Sequence, residues 1–309
     1  MAAKKMIAVV GSANIDMVVR LPRLPGPGET VLGGEFYTAA GGKGANQAVA
    51  AARAGGRVAF VGRVGADSFG REIRRNLSRE KIDTSALRST PGTATGVALI
   101  SVAPSGENAI SVAAGANARL SPADIDRARK VIEAAALILI QLEIPPETVL
   151  RAVETAAAAG AAVILNPAPA SALPVSVFNR LFMMTPNETE AAALTGIDVA
   201  DESSAQTAGR ALIKRGCANV IVTLGKRGAL LVTRSGARLF PAFPARAVDT
   251  TAAGDAFNGA LGAALAEGRK VEEAVVFANA AASISVTRPG AQPSCPYRAE
   301  IVRRVKAGP

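Results

Sequence analysis

The 309-residue chain has no histidine and no tryptophan, and only two cysteines and two tyrosines. Without histidine there is no His-based catalytic triad and no His-ligated metal. Cys217 and Cys295 are too few for a disulfide framework or a zinc cluster, and they read as ordinary thiols of a reducing compartment. No apolar run approaches the roughly 18 uncharged residues of a membrane span. The opening run MAAKKMIAVVGS passes straight into a strand-like segment, with no signal-peptide core and cleavage site, so a soluble cytoplasmic protein is expected. The formal net charge is +10, yet the basic residues are scattered, with local pairs such as Lys4-Lys5, Arg74-Arg75 and Arg303-Arg304. With so few aromatics and no recognition helix, this reads as a solvated basic surface that helps anionic substrates, with no nucleic acid and no membrane as partner.

What the chain does have is apolar mass: 49% of its residues are hydrophobic and 19% charged, enough to bury a large core. Apolar strand-like runs (MIAVVGS, RVAFVGRVG, ALILIQLEI, AAVILNPAP, NVIVTLG) alternate with amphipathic or alanine-rich helical runs. Repeated strand-then-helix order predicts parallel strands with crossover helices. The expected fold is α/β and doubly wound, a mostly parallel central sheet with helices on both faces. Ser121-Pro122-Ala123-Asp124 marks a helix start, with a capping Ser, a Pro at the first helical position and an acid in the first turn. Residues 13–40 and 95–113 break the pattern, with short alternating strands, Pro/Gly turns and no helix. They read as antiparallel ribbons forming a small β-sheet lid over the carboxyl ends of the parallel strands, so that residues 1–309 make one domain with an inserted lid.

The stretch AAGGKGANQA, residues 39–48, invites a phosphate-loop reading that fails on spacing. Tyr37 stands where the first glycine is needed and Gly44 where a hydroxyl must meet Mg²⁺. A better anion cradle lies downstream in VDTTAAGDAFNGAL, residues 248–261. There Ala252, Ala253 and Gly254 lead into a predicted helix whose first N–H groups are free to bind negative charge. Asp255 falls in the first turn of that helix. It is either a simple partner of the helix dipole or, beside glycine-rich backbone, a base that takes a proton from an alcohol while the amides hold phosphoryl oxygens.

Taken with these residues, GSANID (11–16), GGKGANQA, ANARLSP (116–122), QLE (141–143), NPAPA (166–170), TPNETE (185–190), VTLGKRG (222–228) and TRPGAQPS (287–294) occur in an order that resembles the carbohydrate kinases of the ribokinase (PfkB) type, over essentially the whole chain. The resemblance implies phosphoryl transfer from ATP to a sugar hydroxyl in a catalytic segment Ala252, Ala253, Gly254 and Asp255, with Asp255 as base and the Ala253, Gly254 and Asp255 amides as the anion hole. Phosphoryl transfer asks chiefly for positioning and charge stabilisation, so the missing histidines are no obstacle.

For the sugar, the resemblance implies Asn14, Asp16, Gly42, Lys43, Asn46, Glu143 and Asp255, with Gly42 and Lys43 acting mainly through their backbone. The expected acceptor is the 5-hydroxyl of D-ribose. Another furanose (deoxyribose or a nucleoside) and a non-catalytic sugar-binding protein of the same fold stand as alternatives. For the nucleotide it implies Thr223, Gly225, Gly228, Gly254 and Asn279, with Asn187 and Glu190 placing Mg²⁺-bound phosphates. For an activating K⁺ it implies Asp249, Thr251, Ser285, Arg288, Gly290 and Ser294, mostly through backbone oxygens. It further implies a homodimer built through the lid sheets. Each site has a plainer alternative: dipole complementation in TPNETE, a structural turn in VTLGKRG, a turn-forming Asp in GSANID, and loop packing around the cation residues.

Overall fold

A computed structural model describes residues 5–308; Met1 to Lys4, including the first member of the Lys4-Lys5 pair, lie outside the described residues. The strands in chain order are β1 (Met6–Val10), β2 (Asn14–Arg20), β3 (Glu35–Gly41), β4 (Arg57–Gly65), β5 (Leu87–Thr90), β6 (Gly96–Val102), β7 (Asn108–Ala113), β8 (Ala135–Ile140), β9 (Ala162–Leu165), β10 (Met183–Met184), β11 (Val220–Thr223), β12 (Ala229–Val232) and β13 (Ala237–Phe240). Among the described residues nine of them form one sheet in the order β13-β12-β11-β10-β9-β8-β1-β4-β5. Every pairing from β11 through to β5 is parallel, and β12 and β13 add antiparallel at one edge. The doubly wound, mostly parallel architecture expected from the strand–helix alternation is therefore present.

The near-continuous apolar strands follow from burial on both faces. Ile7, Val9, Leu137, Leu139, Ile164 and Ile221 join a core on one side of the sheet. Their neighbours Ala8, Val10, Ile138, Ile140, Leu165 and Val222 join a second core on the other. Each such Val, Leu or Ile side chain, fully buried, contributes roughly 1.5–3 kcal/mol. Among the described residues no helix is long and apolar enough to cross a membrane.

The lid is a four-stranded sheet in the order β3-β2-β6-β7, drawn from the two segments that lacked helical pattern. It departs from the expected antiparallel ribbons in one respect. β2–β3 and β6–β7 are antiparallel hairpins, but β2 and β6 join them in parallel over seven residue pairs. Two hairpins from distant parts of the chain meet here, and a pairing of that range is invisible to local alternation. Its register sets Asp16 opposite Ala39 and Ala98, on the same rung as Val112.

Two helices place the chemistry. One spans Lys43–Arg53 and begins directly after β3, because Gly42 takes φ 86° and turns the chain out of the strand. The other spans Ala253–Ala266. They pack so closely at Gly259 that a Cβ there would lie 2.5 Å from Ala50 Cβ and 2.6 Å from the Gln47 carbonyl oxygen. The small residues of both helices thus serve close approach, which sets Asn46 and Gln47 against Asp255.

Candidate active site

The helix Ala253–Ala266 starts from Ala252, a non-glycine residue held at φ 58°. An L-residue in that left-handed conformation costs roughly 1–2 kcal/mol. In return the chain turns sharply into the helix and leaves amides uncommitted. The Ala253 N–H donates to the Thr250 carbonyl at 3.2 Å, whereas those of Ala252, Gly254 and Asp255 meet no acceptor among the described residues. The expected cradle of Ala253, Gly254 and Asp255 amides is thereby refined: Ala253 is spent on its own turn, and its neighbours carry the free donors. A Cβ at Gly254 would meet nothing within 4 Å. The space beside this glycine is open, so protein packing does not account for its lack of a side chain.

Asp255 is buried, and each carboxylate oxygen accepts one side-chain hydrogen bond. Asn46 Nδ2 donates to Oδ2 at 3.0 Å and Gln47 Nε2 to Oδ1 at 3.0 Å. Burial pushes its carboxyl above the ordinary range, against the opposing pull of the Lys43 ammonium and these two donors. A buried, oriented, proton-seeking carboxylate beside free amides suits a base next to an anion site.

The expected sugar residues gather around it. Asn14, on β2, is buried; its Oδ1 accepts from Asn117 Nδ2 at 2.7 Å, which turns its own amide N–H outward. Asp16, two residues on, lies against Gly41, where a Cβ would come within 2.3 Å of the carboxylate oxygens. No donor among the described residues reaches that carboxylate, so both oxygens remain available for hydroxyl groups. Burial, then Glu143 and Asp255, raise its pKa to about 6 despite the opposing Lys43. Glu143 is held by Ser12 Oγ at 2.5 Å and by the Lys43 backbone N–H at 3.1 Å. The Lys43 backbone N–H, expected to line the sugar pocket, is committed to Glu143, and its side chain lies in the field of several carboxylates. Burial pushes the ammonium down, and Asp255, Glu143, Glu190 and Asp16 together outweigh it, leaving the group above its ordinary value and charged.

The Asp16 shift has a definite sign. Its folded pKa of about 6 exceeds the ordinary 3.8, so its favourable contribution to stability is complete below 3.8 and is lost as pH rises through about 6. Asp16→Asn is therefore expected to raise Tm at pH 8 and leave it nearly unchanged at pH 4. In the parent, sugar KM should climb as pH falls through about 6 while nucleotide KM stays level. Thermal denaturation and steady-state kinetics across pH check both, and a sugar KM flat through that range would remove Asp16 from sugar contact.

A second group assembles at the ends of β10 and β11. Asn187 and Glu190 cap their helix reciprocally, Glu190 N–H to Asn187 Oδ1 at 2.8 Å and Asn187 N–H to Glu190 Oε2 at 2.9 Å. The plainer alternative of a helix start is thus realised, and Glu190 still keeps Oε1 without a partner among the described residues. Burial raises the Glu190 carboxyl, and its coupling to Lys43 and Asp255 places it next to the first group. Asn187 forms a bridge with Thr223. Gly225 and Gly228 take positive φ in the turn after β11, and a Cβ at Gly228 would strike the Phe240 carbonyl oxygen at 2.1 Å. That same carbonyl accepts from Asn279 Nδ2 at 3.0 Å. The Asn279 amide is therefore spent on backbone that frames the pocket.

The expected cation residues also meet. Asp249 accepts from the Thr251 N–H at 2.8 Å and from the Gly290 N–H at 2.8 Å, tying two loops together. Burial raises its carboxyl, but these donors outweigh it and hold the group below the ordinary range. Ser285 and Ser294 pair through their hydroxyls at 2.8 Å. The Arg288 guanidinium is turned away to Glu300, so that residue can offer the loop only its carbonyl. Among the described residues no group of three or more acidic, His or Cys side chains is arranged to hold a metal ion. Both buried thiols, Cys217 and Cys295, are pushed up to about 12 by burial and stay protonated.

Several site residues were not singled out from sequence: Ser12, Gly41, Asn117, Gln47, Asn166, and Gln292, whose Nε2 donates to Asn46 Oδ1 at 3.2 Å. All lie in or beside quoted motifs, and for all but Gly41 the usable signal was a polar residue within an otherwise apolar or small-residue run.

A buried carboxylate beside free amides, on a doubly wound sheet with a β lid, suits a phosphotransferase-type site. The pfkB family carbohydrate kinase profile matches residues 4–298, and the chain belongs to that family of sugar kinases. It is 43% identical over 297 residues to the ribokinase of Haemophilus influenzae, covering 96% of this chain and 97% of that protein. It is 42% identical over 291 residues to the deoxyribokinase of Salmonella typhi, covering 94% and 95%. The structure of Arabidopsis thaliana ribokinase complexed with ribose and ATP superposes with a TM-score of 0.92 at 34% identity, covering 98% and 99% of the two chains.

Proposed function

We propose that this protein is an ATP-dependent kinase that phosphorylates D-ribose on its 5-hydroxyl to give D-ribose 5-phosphate. The observation that carries the reading is the pairing, on one helix start, of the buried Asp255 carboxylate with the uncommitted amides of Gly254 and Asp255. The 5-hydroxyl gives its proton to Asp255 as its oxygen attacks the γ-phosphorus of ATP; the bond to the ADP oxygen breaks, and the amides hold the phosphoryl oxygens as charge builds. Asn14, Asp16, Gly42, Lys43, Asn46 and Glu143 hold the sugar. Thr223, Gly225, Gly228 and Asn279 border the nucleotide, whose Mg²⁺ needs few direct carboxylates beyond Glu190. The Lys43 ammonium, in the field of four carboxylates, keeps this acidic pocket compatible with an anionic phosphoryl donor.

The same reading includes a K⁺ held by Asp249, Thr251, Ser285, Arg288, Gly290 and Ser294, supported by a lining of carboxylate, hydroxyl and carbonyl oxygens that suits a hard cation. It takes residues 1–309 as one α/β unit carrying its lid, in the cytoplasm, and paired as a homodimer through the lid sheets. Phe36 (64% exposed), Leu99 (53%), Ile110 (56%) and Val112 (56%) support the pairing. They lie on both faces of the lid, since adjacent rungs point to opposite sides.

The near-equal identity to a deoxyribokinase keeps 2-deoxyribose as a second reading. An ATP-consumption assay over ribose, 2-deoxyribose, hexoses and nucleosides decides between them. Ribose is expected to be preferred over 2-deoxyribose by roughly 10–100-fold, the worth of one hydrogen bond to a charged group. Preference for deoxyribose would overturn the choice of sugar, and no turnover with any acceptor would favour the binding-protein alternative. Replacing K⁺ with a large organic cation in that assay should slow the rate, and an unchanged rate would remove the cation site.

A further inference from the structure

Gln47 follows Asn46 in the GGKGANQ stretch, is fully buried, and has no part in the sugar or nucleotide contacts above. Its Nε2 donates to Asp255 Oδ1 at 3.0 Å and to Asn166 Oδ1 at 3.0 Å, and its Oε1 accepts from Gln141 Nε2 at 2.5 Å. The polarity of this chain is set from one end. Asn166 Nδ2 donates to the Thr185 backbone carbonyl at 3.1 Å, and a carbonyl can only accept. The Asn166 oxygen must therefore face Gln47, and Gln47 must in turn present its NH₂ group, which has a second hydrogen for Asp255. Gln141 and Asn166 stand directly after β8 and β9, so two strand ends fix the amide. At its far end the chain terminates in Gln141 Oε1, a buried oxygen with no partner among the described residues. It is packed beside Gly11, where a Cβ would come within 2.2 Å of it. A polar chain that leaves one buried oxygen unpaired is a costly way to fill a core. Its other end delivers an N–H onto the reacting carboxylate.

We propose that Gln47 is a positioning residue for phosphoryl transfer: its amide, oriented from the Thr185 carbonyl through Asn166, aims the Asp255 carboxylate and favours its ionised form. It acts through Asp255 and does not touch the sugar. The proposal rests on Asp255 being the base. The other titratable groups that face Asp255 are Lys43, Glu143, Asp16, Glu190 and Cys295, and the variants below keep them all.

Gln47→Met keeps the volume and removes both donors. The expected result is a fall in kcat of about tenfold or more, a displacement of the acid limb of the kcat–pH profile upward by about one pH unit, and a sugar KM within about twofold of the parent. Gln47→Met/Gln141→Leu also removes the Gln141 amide left without its acceptor, while Asn166 Oδ1 still lacks its donor, so it should regain part of the lost Tm without returning the acid limb to its place. Recovery of Tm, kcat and the limb together would make Gln47 a structural residue and overturn the proposal. So would a limb that stays put in Gln47→Met. If both variants fail to fold, Asn166→Leu, which frees the Gln47 amide to rotate, is read in the same way: a limb displaced upward supports the proposal and an unmoved limb overturns it. Asp255→Asn separates the two levels. A variant that still turns over sinks the base assignment. An inactive Asp255→Asn beside an unmoved pH profile in Gln47→Met sinks this inference alone.

Discussion

Asp255→Asn is expected to lower turnover by roughly 10²–10⁴-fold, the range for removing a positioned general base, in a protein that still folds and still binds sugar. The fold should survive because two effects oppose each other. In the parent, burial makes the ionised carboxylate costly, which is why its pKa is raised, and the amide relieves that cost. Against this, Asn46 and Gln47 both point donors at residue 255, and an amide there has only one oxygen to offer. One N–H is left facing another, at a cost of about 1–3 kcal/mol. The parent's kcat should rise with pH through a limb above the ordinary carboxylate range and then level, because Asp255 must lose its proton to act and burial resists that loss. The residual rate of Asp255→Asn should lack this limb. Initial rates by ATP consumption across pH, with sugar affinity by calorimetry, test the prediction; a variant retaining parental turnover would end Asp255's claim to be the base.

Gly254→Ala should separate activity from stability more sharply still. A methyl group there meets no protein atom within 4 Å, and the backbone lies outside the left-handed region. Alanine also favours a helical residue over glycine by up to about 1 kcal/mol. Tm is therefore expected to hold or rise by a degree or two. Turnover is expected to fall by roughly 10²-fold or more, the scale for disabling an anion-hole donor, because the methyl occupies the space through which a phosphoryl group approaches the Gly254 amide. Wild-type turnover in a folded Gly254→Ala would place the anion site elsewhere. Gly259→Ala, five residues on, makes a useful contrast: its Cβ would collide with Ala50 at 2.5 Å, so it should lose Tm and activity together.

Much of the candidate site is legible in the sequence, for local reasons. Asp255 and its glycine precede an apolar helical run, and a helix start exposes amides wherever it lies in a fold. Glu143 was legible as an acid closing the apolar run ALILIQLE, where open α/β sheets place their ligands, whereas Asp16, inside a lid strand, came only from the resemblance carried by GSANID. The decoy in GGKGANQ was also legible, since the phosphate-loop spacing fails at Tyr37 and Gly44. The role of the Lys43 side chain was not. Its surroundings of Asp16, Glu143, Glu190 and Asp255 come from four separate segments, and no window of sequence contains them together.

The amino-acid sequence by itself determined the strand–helix alternation, the two helix-free lid segments and the polar residues that interrupt apolar runs. These depend on periodicity, turn chemistry and helix-end geometry, all of which act over a few residues. Only the tertiary structure decided the parallel joining of the lid hairpins, the commitment of the Ala253 amide to Thr250, and the polarity of the Thr185–Asn166–Gln47–Asp255 chain. The reason is that hydrogen-bond direction and strand partners are settled by which groups compaction brings within about 3 Å. Here that was decided by glycines at 41, 42 and 259, where missing side chains let distant backbones close on one another.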